Sequence, residues 1–315
     1  MAQPQLIVNN EGKNVEIATI ATSAVLLDLH VSSWTSRKRD KKTSAEVNHD
    51  KQTTSDKAAS VVKNLMSDDA DLDAIRAYGQ DTRLWVQKHT LAWSDGGTRL
   101  LPSQLIFEVT SEIEARITAY DALVAKFVSG YSVKVSAAAF KLGKLFDRSE
   151  FPDADAVARK FNMRYTVSPV PTVGDFRVDV QNDIGDRLKE HFQKAATDYI
   201  TTAMREPWER VYNSMVHMKE RLEASIAHEA EEGEDARRRP KLFQSLIDNN
   251  LELATMLDKL NIAKDPQLSD CAARIRRMVS SLDIKSVRES KDTQMSIKKQ
   301  VDDILDTFNF GGFDE

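Results

Sequence analysis

A chain of 315 residues with 41% apolar content can bury one large core or two ordinary ones, and a net charge of −5 argues against wholesale coating of duplex DNA while leaving room for a local basic surface. Cys271 is the single cysteine, which excludes an intrachain disulfide and a thiolate-rich structural zinc site and fits a reducing, cytoplasmic setting. The most apolar stretch, residues 17–29, lacks a basic lead-in and contains Asp28, so it reads as neither a signal peptide nor a membrane span.

Val25, Leu27, Leu29 and Val31 alternate with Asp28, His30 and Ser32, the period-two pattern of a half-buried strand over residues 24–34. Residues 5–8 and 15–20 can pair with it. The polar stretch 35–55 has almost no apolar residue besides Val47 and reads as a mobile loop or frayed helix; Arg37, Lys38, Arg39, Lys41 and Lys42 lie at its start. Helices fit residues 56–66 and 72–89. Asp95, Gly96 and Gly97 then supply a turn, and Pro102 opens the next helix.

Residues 102–146 and 183–228 read as two nearly continuous amphipathic helices, each ~65 Å long at the α-helical rise. Leu105, Val109, Ile113, Ile117, Tyr120, Val124, Phe127 and Tyr131 form the first stripe, which continues through Val135, Ala138 and Leu142, with Gly130 inside it. Ile184, Leu188, Phe192, Ala195 and Tyr199, then Val211, Met215, Met218 and Leu222, form the second, with a kink expected at Pro207. Residues 165–170 and 176–180 between the two helices read as a β-hairpin. The expected fold is mainly α with a small β component (α+β): an N-terminal α+β base over 1–100 and a long antiparallel, coiled-coil-like helical pair over 101–232 with a β tip at 151–180. A charged linker over 229–239 leads to a C-terminal bundle over 240–308, with helices at 241–260, 266–282 and 291–308, and an acidic-aromatic tail over 309–315.

The residues offer little catalytic chemistry. His217, Glu220 and His228 do not have the spacing of a zinc helix, and Gly96-Gly97 and Gly311-Gly312 lack the setting of a phosphate loop, so no metal, cofactor or enzymatic activity is expected. Trp34 followed by five cations is the strongest nucleic-acid signal, because an indole can stack a base while the cations neutralise phosphates. Arg237, Arg238 and Arg239 are secondary candidates, as is the pair Arg276 and Arg277. At the C-terminus, Asp302, Asp303, Phe308, Phe310, Phe313, Asp314 and Glu315 mix acids with aromatics, a composition suited to docking a protein partner; the opposite reading folds the phenylalanines back onto the bundle.

The stretch from His89 through Trp93 and Gly97 to Pro102 precedes the first long helix; Phe151-Pro152, Pro169 to Pro171, Gly174 to Arg177, Trp208 to Arg210 and Met218 to Leu222 follow. Across residues 85–222 this pattern resembles a family of phage-encoded, mostly uncharacterised helical proteins. The resemblance implies a viral protein made in the bacterial host cytoplasm and brings no catalytic residues with it. Two functions follow as expectations. The first is a non-enzymatic accessory protein that binds single-stranded DNA and recruits a phage or host polymerase or another replication or transcription protein. The second is a helical adaptor that acts by self-assembly or by docking an ATPase. A homo-oligomer and no membrane association are expected in either case.

Overall fold

A computed structural model of the chain describes residues 23–55, 57–94, 96–171, 183–228, 244–280 and 282–308. It is mainly helical with a small antiparallel sheet component, ten helices being present among the described residues. The chain divides into two compact units, one of Met1–Asp28, Gln87–Phe107 and Val167–Glu315, the other of Leu29–Val86 and Glu108–Thr166. The units interleave in sequence.

In the first unit, β1 (Ala24–Ser32) contributes its opening half, which pairs antiparallel with β5 (Arg99–Pro102) in the register Ala24↔Pro102 to Leu27↔Arg99. A short β4 (Leu91–Ala92) pairs antiparallel with β5. Gly97, at φ +92°, makes the turn between β4 and β5 with a backbone geometry that side-chain-bearing residues rarely adopt. Pro102 ends β5 rather than opening a helix; its extended backbone leads into a short 3-10 turn before the next helix.

This unit also holds α6 (Asp183–His228), α7 (Gln244–Leu260), α8 (Pro266–Ser280), α9 (Ile284–Glu289) and α10 (Lys291–Leu305). Val211, Met215, Met218 and Leu222 recur every three or four residues on α6 and bury against Ile247, Leu257, Ile275 and Val301. α6 runs through Pro207 as one helix. Asn250, buried in this core, is satisfied: its amide donates to Leu246 O at 2.7 Å and accepts from Ser214 Oγ at 2.9 Å. Asp283 and Ser290 cap α9 and α10 by accepting from backbone N–H groups, which explains why the last third of the chain breaks where it does. Cys271 lies in this core, and burial pushes its thiol up to about 11. A thiol reagent at neutral pH is therefore expected to label Cys271 only at the rate at which α8 unfolds, measurable by mass spectrometry in native and denaturing buffer.

The second unit holds the other half of β1, whose neighbour in the sheet is β6 (Asn162–Pro169). The second strand expected for a hairpin, 176–180, lies outside the described residues. Most of α2 (Ala70–His89) and α3 (Ile106–Ser129), with all of α4 (Tyr131–Leu142) and the short α5 (Ala154–Ala158), belong here. Their core is aromatic: Trp34, Tyr120, Phe127, Tyr131 and Phe161 pack with Leu72, Ile75 and Val157. Gly79 lets α2 approach β1, because a Cβ there would lie 3.0 Å from Val31 Cγ1.

Two expectations are corrected here. The first long helix is not continuous: α3 stops at Ser129 and α4 begins after Gly130, then stops at Gly143, which has φ +51°. Tyr120 and Phe127 of the α3 stripe are buried in the aromatic core, and Val211, Met215, Met218 and Leu222 of α6 in the helical one. The supposed loop 35–55 and helix 56–66 instead form β2 (Arg37–Asp40), α1 (Lys41–Asp50) and β3 (Val61–Asn64). A polar sequence folds there because side chains satisfy the backbone: Asp40 accepts from Thr43 N at 3.0 Å, Asn48 both donates to and accepts from the Ala59 backbone, and Ser44 Oγ accepts from Val61 N at 3.0 Å.

Candidate nucleic-acid interface

β2 and β3 form a two-stranded antiparallel sheet in the register Arg37↔Asn64 to Asp40↔Val61. Period-two geometry puts Arg37 and Arg39 on one face of β2, and Lys38 on the other beside Lys63. Arg37, Lys38 and Arg39 are exposed, as are Lys41 and Lys42 in the first turn of α1. Five of the six residues 37–42 are thus cations at the surface. The sixth, Asp40, is turned inward, where it caps α1 and faces Lys63 at 3.4 Å. Its hydrogen bond from the Thr43 backbone, helped by Lys63, holds its carboxyl below the usual value.

Lys63 anchors this element from beneath. Its side chain is 6% exposed, and Nζ lies 2.6 Å from Glu150 Oε2 and donates to Leu145 O at 2.9 Å. Burial works against its charge, but Glu150 and Asp40 outweigh burial and raise its pKa. The same edge carries Asp147, whose carboxyl is lowered first by hydrogen bonds from Ser149 and further by the nearby charges of Lys63 and Lys38. The cations of β2 therefore sit on a fixed base formed by β3 and residues 145–150.

Trp34 does not belong to this surface, which corrects the stacking role expected for it. It is 7% exposed, with its ring 6.0 Å from that of Tyr131 and 6.5 Å from that of Phe127. An indole wedged between two core rings has no face open to a base. Its backbone carbonyl accepts from Arg76 at 3.0 Å, and the same guanidinium donates to Thr35 O and Ser36 Oγ, so this part of the chain positions the start of β2.

The remaining candidates divide. Arg276 is paired with Asp258 at 2.6 Å, and Arg277 donates to Ala273 O of its own helix. Arg237, Arg238 and Arg239 lie outside the described residues. Of the partner-docking set, Asp302 is on α10 and forms ion pairs with Lys219 at 2.7 Å and Lys298 at 2.9 Å. Phe308 packs back onto the bundle, with its ring 5.6 Å from those of Trp208 and Tyr212. Neither is displayed for a partner, because helical spacing carries α10 to Leu305 and the last turn folds its aromatic inward. Asp303 is exposed; Phe310, Phe313, Asp314 and Glu315 lie outside the described residues.

Among the described residues no three His, Cys, Asp or Glu side chains converge to hold a metal ion, and no helix is long and apolar enough to cross a membrane. A buried charge cluster that sequence reading missed lies in the first unit, where Glu206 joins Arg99 at 2.9 Å and Arg210 at 2.7 Å. Both guanidiniums also donate to backbone carbonyls around Thr90, so their donors serve the fold rather than a ligand. No family model, curated protein or solved structure matches this chain.

Proposed function

We propose that this chain is a non-enzymatic phage accessory protein that binds single-stranded DNA through the exposed face of β2 and the first turn of α1. The observation that carries the reading is the set of five surface cations, Arg37, Lys38, Arg39, Lys41 and Lys42, on a folded, anchored strand–helix element in which Asp40, the one acid of residues 37–42, is turned inward. Rigid cations lose less freedom on meeting phosphates than cations on a loop, which favours binding. The recruiting role falls to the end of the chain, residues Phe310, Phe313, Asp314 and Glu315, since Asp302 and Phe308 are engaged in the bundle. A replication or transcription protein is the partner class that the acidic-aromatic composition of this end suits.

Fluorescence anisotropy of a labelled oligo-dT and a matched duplex, titrated at several salt concentrations, tests it. Tight single-strand binding is expected, with log K falling against log salt by about 0.7 for each phosphate contact. Replacing the five cations by alanine should flatten that slope by roughly 3.5. Salt-independent binding, or normal binding by the five-alanine variant, would sink the assignment.

A further inference from the structure

We propose that Phe140 is the base-stacking residue of this interface, with Lys141, Lys144 and Lys38 holding the phosphates on either side of the stacked nucleotide; the inference rests on the single-strand reading above. Phe140 is 91% exposed, whereas Tyr131, Val135 and Ala138 of the same helix are buried. α4 therefore keeps its core face and presents a whole phenyl ring on the opposite side. Flat aromatic surface in water is well suited to an unpaired base, because every base has a π-face and stacking tolerates any sequence.

Charge decides which occupant suits that ring. Residues 131–146 carry Lys134, Lys141 and Lys144 and no acid. Lys134 is engaged with Asp69 at 2.8 Å and Asp71 at 2.7 Å. Lys141 donates to the backbone carbonyls of Ser67 and Asp68 at 3.0 and 3.3 Å, which fixes a positive charge next to Phe140 in the chain. Lys144 is exposed just past the helix end. Residues 144–147 meet the basic sheet, since Lys63 donates to Leu145 O at 2.9 Å and the charge of Lys38 falls on Asp147. The acids at this edge are Asp68, Asp147 and Glu150; Asp147 is already bonded by Ser149 N and Oγ at 2.9 and 2.7 Å, and Glu150 is paired with Lys63 at 2.6 Å. An aromatic bordered by lysines repels a second copy of itself and attracts a polyanion with exposed bases. A duplex supplies the charge but hides the base faces, so the occupant is single-stranded.

The test compares wild type, Phe140→Ala and Phe140→Trp on oligo-dT and on an abasic oligonucleotide of equal length, with light scattering of each protein. Phe140→Ala is expected to weaken oligo-dT binding about tenfold, to leave abasic binding unchanged and to keep the salt slope, while Phe140→Trp restores affinity. Equal binding by Phe140→Ala and wild type would overturn this assignment alone, as would an equal loss on both oligonucleotides. A change of oligomeric state in Phe140→Ala would overturn it in favour of self-association. Failure of the wild type to bind oligo-dT would overturn the underlying single-strand reading as well. An exposed side chain of this kind should leave the melting temperature unaltered, which circular dichroism verifies for each variant.

Discussion

Trp34→Ala is expected to lower the stability of the second unit by about 3–4 kcal/mol, while Trp34→Phe leaves oligo-dT affinity within twofold of wild type. The first effect follows from burial: the indole lies between Phe127 and Tyr131, and truncation would leave a cavity that the neighbouring rings, themselves held by Phe161 and by each other, can only partly fill. The second follows from orientation. If Trp34 stacked a base, losing the indole would cost affinity even when a phenyl ring preserves the core. If it only supports the start of β2, a phenyl ring suffices for binding. Urea unfolding followed by circular dichroism, with anisotropy on the same preparations, separates the two. A Trp34→Phe variant that folds normally but binds tenfold more weakly would restore the indole to the interface.

Glu206→Ala is expected to cost about 3 kcal/mol at neutral pH, because it leaves the partly buried guanidiniums of Arg99 and Arg210 facing each other without their shared counter-ion. Burial pushes the Glu206 carboxyl up, but Arg210 and Arg99 outweigh burial and hold it below its ordinary 4.5. The sign of the pH dependence follows from that direction. A carboxyl whose pKa is lower in the folded than in the unfolded state contributes its full stabilisation above about 4.5 and loses it as pH falls through the folded value. Glu206→Gln should therefore differ most from wild type near neutrality, and the two should converge as pH drops below 4.5. Thermal melts of both proteins between pH 3 and pH 7 measure this. A difference that stays constant over the range would mean that the carboxylate charge contributes nothing there.

Several features were legible because a single physical rule decides them. The strand 24–34 was readable since apolar alternation has one solution against a core, and it appears as β1. The helices at 72–89 and 183–228 were readable from their three-four spacing, and both appear within two residues of the expected bounds. The bundle helices were equally clear, with Pro266 marking the start of α8. The element 37–64 was not, because no hydrophobic period records the bonds from Asp40, Ser44 and Asn48 that hold it. The five cations were found from composition alone, but their fixed placement comes from Lys63, a residue that resembles any surface lysine until its burial between Asp40 and Glu150 is seen. Phe140 lies off the stripe of Val135, Ala138 and Leu142, so no hydrophobic period marks it.

By itself the sequence determined where apolar faces lie, which segments are long helices, and which short run concentrates positive charge, since all three are local properties of neighbouring residues. Only the tertiary structure decided what covers each face. An amphipathic stripe specifies that it must be buried but carries no address: Tyr120 and Phe127 of α3 are covered by the aromatic core around Trp34, and Val211, Met215, Met218 and Leu222 of α6 by α7, α8 and α10. The same reason moved Trp34 from the presumed site into the core and left Phe140 in solvent, because exposure depends on contacts between residues far apart in the chain.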